Sequence, residues 1–373
     1  MNTLSSYITK IKPILESQLA YSSWRSECSR LNIIERDIGH CFIQDLTKSE
    51  LLLWINEPKR KRRKGSKLNQ KEQWSPKTRN AYLSLLRKIL KYAVDDFVIS
   101  KSPLDNIDFY TVSDTHAHPF TQREIHLISN HKATCEIARS LFKFGVLTGL
   151  RMSELIALAW NDIDFDKKIL YVRRAKPLAK NYKVPKTRAA ERQVELSDEA
   201  IRVLRDTEKL TRGFKPRFIQ VQQRDNFKSQ REHVRFVFIN SATKRAFIDP
   251  KQYAKTFFTP MLKKLRIDHR GPNQIRHTFA SQAITMGFPK EWVRRQLGHV
   301  NDMMLDKHYS EWITEDAGDN CERFSAVISR SLNGQQETSI DEPVELPVVL
   351  ERPSIIGWIR SKLRGSHIQH HTQ

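Results

Sequence analysis

Asn273-Gln-Ile-Arg276-His277-Thr-Phe-Ala-Ser281 opens the stretch that decides how this chain is read. It runs on through Leu297-Gly298-His299 to Lys307-His308-Tyr309-Ser310. Apolar spacing predicts helices over 276–287 and 289–297, with a helical pattern continuing through Val327. A helix rises about 1.5 Å per residue, so elements this short bring an arginine, a histidine and a tyrosine to one point. Either they surround a ligand or they are packed together.

The rest of the chain narrows the choice of ligand. Its 373 residues are enough for two or more domains, each with a packed core. A formal charge of +22 calls for a large anionic partner, with nucleic acid ahead of an anionic membrane. No segment has the length and apolarity of a membrane span, and the N-terminus lacks a signal peptide's apolar core, so a cytoplasmic, nucleoid-associated protein is expected. Cys28, Cys41, Cys135 and Cys321 are scattered without CxxC pairing, which fits a reducing compartment and argues against a zinc site. His367, His370 and His371 cluster only in a polar tail, where at most a weak adventitious metal site is expected.

Residues 1–46 read as helical, with Ile8, Ile11, Ile14 and Leu15 as one stripe and Trp24, Cys28 and Leu31 as another. Thr47 and Glu50 form a capping box. Lys59-Arg60-Lys61-Arg62-Arg63-Lys64 is a run of like charges that cannot lie on a buried face. It is a solvated loop, or a loop that tracks phosphates. Ser75-Pro76 starts the clearest helix, with Tyr82, Leu85, Leu86, Ile89, Leu90, Ala93 and Val94 on its core face. Lys77, Arg79, Arg87, Lys88 and Lys91 flank that face as a solvated edge or a DNA-facing one.

A polar segment then leads to a boundary near 110–118. Thr121 and Glu124 form a second capping box, with Phe120 as a staple residue. Ile137–Leu147 is an apolar helix, broken at Thr148-Gly149-Leu150. Runs over 163–172 and 182–196 predict a small antiparallel sheet, Ser197 caps a helix, Phe236–Ile239 reads as a strand, and Asp249-Pro250 opens another helix. Residues 211–235 give no clear pattern. From 331 the chain turns polar and proline-bearing, a flexible tail in which 355–363 is the one amphipathic stretch.

Isolated arginines, a lysine between strands, histidines and a tyrosine suit phosphodiester chemistry without metal. Guanidinium groups bind phosphate oxygens bidentately and stay charged. A tyrosine serves as nucleophile, and a lysine or histidine protonates the leaving alkoxide.

The motifs resemble the tyrosine recombinase (phage integrase) family. Thr148-Gly-Leu-Arg151-Met-Ser-Glu154-Leu resembles its first arginine box, Lys186-Thr-Arg-Ala-Ala-Glu-Arg192-Gln-Val-Glu-Leu196 its β-hairpin lysine segment, and Asn273–Ser281 its second arginine box. Leu297-Gly-His299 and Tyr309 resemble the last box and the nucleophile. The order and separations agree over about 119–315; 20–110 is more loosely similar to the helical core-binding domain.

The resemblance implies a mainly α fold with a small antiparallel sheet (α+β): a helical core DNA-binding domain over 1–112, a linker over 113–118, a catalytic domain over 119–330 and a tail over 331–373. It implies that Arg151 and Arg276 clamp the scissile phosphate, Lys186 protonates the 5′-oxygen, His299 bonds the phosphate and Tyr309 forms a 3′-phosphotyrosyl link. Lys183 and Arg188 stand near Lys186 as rival cations, and Glu154 supports the site. Bond energy kept in the link means that no cofactor is expected. Partners would be duplex DNA at attachment-type sites, sister copies in a tetramer on DNA, and accessory bending or directionality proteins; no membrane is expected.

Two departures stand out. Asn273 occupies a position that is usually histidine, and an amide donates to phosphate but carries no proton at neutral pH. His299 and Tyr309 stand one residue further apart than is common. The expected function is site-specific integration or excision of a phage or other mobile element. The alternatives are a chromosome-dimer resolvase, a DNA-binding accessory without cleavage and a type IB topoisomerase-like enzyme.

Overall fold

The computed structural model describes residues 2–57, 73–113, 117–132, 135–177, 182–185, 190–225 and 228–298. The expectations for Lys59–Lys64, Lys186, Arg188, His299, Tyr309 and the tail fall outside them.

Four helices come first: α1 (Leu4–Gln18), α2 (Tyr21–Ile38), α3 (Lys48–Asn56) and α4 (Pro76–Asp95). The buried stripe of α1 is Leu4, Tyr7, Ile8, Ile11 and Leu15. Ile14, expected on that stripe, is exposed, because Ile11 and Leu15 already define a face that Ile14 flanks. Thr47 and Glu50 close the expected capping box at α3. Ser75 caps α4, whose buried side includes Leu83 beside the predicted positions, except Val94, which is half-buried at the helix end. These helices share one apolar cluster drawn from residues 4–104. At its rim Trp74 stacks on Tyr82 with centroids 4.0 Å apart, and Trp54 meets both rings edge-on.

The second apolar cluster is drawn from residues 120–275. Helix α5 (Gln122–Asn130) starts at the expected Thr121–Glu124 capping box, and Phe120 is fully buried as a staple residue would be. Arg270 donates twice to Glu124, at 2.6 and 2.8 Å, and lies over the Phe120 ring. Helix α6 (Glu136–Thr148) ends at Gly149, whose φ of +65° is left-handed. A Cβ there would come within 2.5 Å of Phe279 and 2.8 Å of Leu297, so this turn admits glycine alone. The short α7 (Met152–Leu155) follows.

Strands β1 (Ile163–Asp164), β2 (Ile169–Tyr171) and β4 (Gln193–Glu195) form the expected antiparallel sheet, with Leu170 opposite Val194. A second sheet was not expected. Strand β3 (Tyr182–Lys183) runs parallel to β5 (Arg217–Gln222), which pairs antiparallel with β6 (Ser229–Val234). Both β5 and β6 lie in the region that gave no pattern. Their polar positions face solvent, and only Ile219, Val221 and Val234 turn inward.

The strand predicted over Phe236–Ile239 is corrected. Phe236 makes one isolated bridge to Ala159, while Ile239 opens the two-residue β7 (Ile239–Asn240), paired with β8 (Arg245–Ala246). Phe236, Val237, Phe238 and Ile239 are all buried. The apolar run correctly signalled burial, but its pairing is split between two neighbours.

Between the sheets, Ser197 caps α8 (Asp198–Thr211). Asp249 caps α9 (Pro250–Tyr253), which passes through a π-helical segment at Ala254–Phe258 into α10 (Thr259–Lys264). The decisive stretch supplies α11 (Gln274–Thr285) and α12 (Lys290–Leu297). Phe279, Ala280, Ala283, Val293 and Leu297 pack these two helices together.

Candidate active site

The site begins at the Gly149 turn. That turn sets Arg151 as the N-cap of α7, and Glu154, one helical turn later, reaches back to it. The Glu154 carboxylate accepts the Arg151 backbone N–H at 3.0 Å and its guanidinium at 2.8 Å. Met152 and Leu155 bury α7 in the core, and Glu154 goes with them at 4% exposure.

A buried carboxylate needs compensation, and cations from separate elements provide it. Arg192, just ahead of β4, donates to Glu154 Oε2 at 3.1 Å and, more weakly, to Oε1 at 3.4 Å. Its Nε donates to the Gln296 carbonyl at 2.5 Å. Arg276, in the first turn of α11, donates to the carbonyls of Gly149 at 2.9 Å and Leu297 at 2.7 Å. Burial alone would raise the Glu154 pKa, but Arg192, Arg151 and Arg276 outweigh it and hold the group at about 2, below its ordinary 4.5. The carboxylate therefore stays ionised, and the Arg151 side chain remains 39% open to solvent.

The structure thus brings Arg151 and Arg276 together around Glu154. Asn273 lies exposed at the N-cap of α11, where its side chain makes no capping bond. His277 is half-buried on the same helix. Lys183 lies in β3, its backbone paired with Ala175. Among the described residues, no group of three or more His, Cys, Asp or Glu side chains is placed to hold a metal ion.

The cations of α4 divide into two kinds. Lys77 and Lys91 are exposed, Lys91 pairing with Asp95, and Lys88 is half-buried. Arg79 bonds Gln73 and lies over the Tyr110 ring. Arg87 donates to the carbonyls of Leu104 and Ile107 and lies over Phe109, so its cation fastens the segment after α4.

Sequence reasoning gave Arg192 and Gln296 no part. Arg192 stood within the Lys186–Leu196 segment, directly before the alternating Gln-Val-Glu of β4, but a chain with 64 lysines and arginines offers many such positions.

The sequence profile of the phage integrase family matches residues 119–314, more than half of the chain. The chain belongs to the phage integrase family. Prophage integrase IntR of Escherichia coli K12 is 28% identical over 321 residues, covering 82% of this chain and 75% of that protein. A tyrosine recombinase XerC-like protein of Caldanaerobacter subterraneus is 29% identical over 257 residues, covering 64% and 63%. The chain is thus a tyrosine recombinase, a site-specific enzyme that breaks and rejoins DNA.

The fold agrees with those of solved integrases. The Tn1549 transposon integrase in complex with circular intermediate DNA aligns with a TM-score of 0.66 over 87% of this recombinase and 100% of that chain, at 21% identity. A lambda integrase dimer bound to a COC′ core site aligns at 0.59 over 91% and 100%, at 15% identity. These likenesses speak to the α+β fold alone. No described helix of this recombinase is long and apolar enough to cross a membrane.

Proposed function

We propose that this recombinase integrates or excises a phage or other mobile element through a 3′-phosphotyrosyl link formed by Tyr309. Arg151 and Arg276 clamp the scissile phosphate, Asn273 and His299 donate hydrogen bonds to it, and Lys186 protonates the 5′-oxygen as it leaves. The carrying observation is the buried Glu154 carboxylate, which holds Arg151 by two hydrogen bonds within the field of Arg276. Two guanidinium groups fixed before substrate arrives need no reorganisation as charge develops on the phosphate.

Residues 1–112 form the core DNA-binding domain in this reading and 119–330 the catalytic domain, joined by 113–118. The relatives' complexes support duplex DNA as the partner, and a lambda integrase tetramer bound to a Holliday junction supports assembly as a tetramer on DNA. Accessory bending or directionality proteins and a nucleoid location belong to the same reading.

A nicked suicide duplex carrying the element's attachment site tests it. A covalent adduct that disappears in Tyr309→Phe is expected. Binding without adduct would replace this reading with a DNA-binding accessory, which Asn273 in place of histidine favours. Relaxation of arbitrary supercoiled plasmid would replace it with a topoisomerase.

A further inference from the structure

We propose that Arg192 is a positioning residue: it couples the carboxylate that holds Arg151 to the carbonyl end of α12, the segment leading into His299. The inference rests on the catalytic reading above and adds a residue to which that reading gives no role.

Arg192 is only 6% exposed, and its donors are largely committed within the protein. Nη1 and Nη2 face Glu154, Nη1 also meets the Ala190 carbonyl at 3.3 Å, and Nε meets the Gln296 carbonyl. A guanidinium spent in this way has little left for a phosphate. Its planar fork spans two elements that share no backbone bond, α7 and α12, at a fixed separation.

The far side of the junction is braced independently. The Gln296 side chain accepts the Glu195 backbone N–H at 3.2 Å, and Trp292 Nε1 donates to the Glu195 carboxylate at 3.0 Å. Strand β4 therefore holds α12 at two points while Arg192, at its head, holds both α12 and Glu154. Arg276 takes the next carbonyl, that of Leu297. Cations on the last carbonyls of a helix also oppose the negative end of its dipole.

This arrangement makes the first arginine box and the end of α12 one mechanical body. Loss of the Arg192 fork leaves the tie to Arg276, on the Gly149 and Leu297 carbonyls, and a displacement of about 1 Å between the two costs on the order of 100-fold in rate.

The test is single-turnover cleavage of the suicide duplex, read beside noncovalent binding and thermal melting. Arg192→Lys keeps the buried charge and loses the fork. It is expected to slow cleavage by roughly 10- to 100-fold while DNA affinity stays within about two-fold. Arg192→Ala is expected to regain part of its rate in added methylguanidinium. The acid limb of its pH–rate profile should move to higher pH, since only Arg151 and Arg276 then face Glu154.

Wild-type cleavage in Arg192→Lys would overturn the proposal. So would a loss of binding equal to the loss of cleavage, which marks direct phosphate contact. If Arg192→Ala does not fold, the Arg192→Lys ratio of cleavage to binding decides alone. Absence of adduct in the unmodified protein would instead sink the catalytic reading, so the two failures are distinct.

Discussion

Arg276 donates to the Leu297 carbonyl at 2.7 Å, so a guanidinium of the second arginine box touches the last turn of α12 two residues before His299. The same side chain reaches the Gly149 carbonyl, two residues before Arg151. Arg276→Lys cannot make both bonds from one ammonium at this geometry. Cleavage of the suicide duplex is expected to fall by about 10²–10³-fold, the usual cost of losing one preorganised charge donor. Single-turnover adduct formation measures it.

Glu154 gives the pH dependence. Its pKa is about 2 in the folded protein and 4.5 ordinarily, so its contribution is complete above pH 4.5 and is lost as pH falls toward 2. That contribution is on the order of 3 kcal/mol. Urea unfolding at a series of pH values should show this loss in the native protein and a flatter curve in Glu154→Gln. The variant should also be less stable at neutral pH by about 3–5 kcal/mol, because Arg192 keeps a buried charge without its partner.

Gly149→Ala forces a side chain into a left-handed backbone and against Phe279 and Leu297. Strain and contact together should cost roughly 2–4 kcal/mol. A lowered melting temperature checks this, and a variant that melts like the native protein would contradict the packing described around α6.

Among the α4 cations, Lys77 and Arg87 should behave oppositely. If α4 faces DNA, Lys77→Ala lowers the slope of log affinity against log salt by about one. Arg87→Ala should leave that slope alone and lower the melting temperature, since its guanidinium holds the Leu104 and Ile107 carbonyls. Binding isotherms at several salt concentrations separate the two.

How far the sequence could be read depended on locality. The capping boxes at Thr47–Glu50 and Thr121–Glu124 were legible because donor and acceptor lie three residues apart. The pairing of β3 with β5 was not, because its partners are about forty residues apart and β5 alternates few apolar side chains. Phe236–Ile239 announced burial but not pairing. Within the site, Arg151, Glu154 and Arg276 were legible through their boxes. Arg192 stood in the lysine segment, but its part became visible only once Glu154 and Gln296 were seen on either side of it.

Residues 118–120 run alongside α11 and are stitched to it three times. His118 N–H meets the Gln274 side chain, Phe120 N–H meets the Thr278 hydroxyl, and the Phe120 carbonyl meets the Gln282 amide. Those partners recur every four residues, so they form one seam along the helix, and Arg276 leaves from the opposite side. Three bonds along one side of the helix oppose its rotation about the α11 axis. The seam keys the helix like a spline in a shaft, fixing the direction in which the Arg276 guanidinium leaves it.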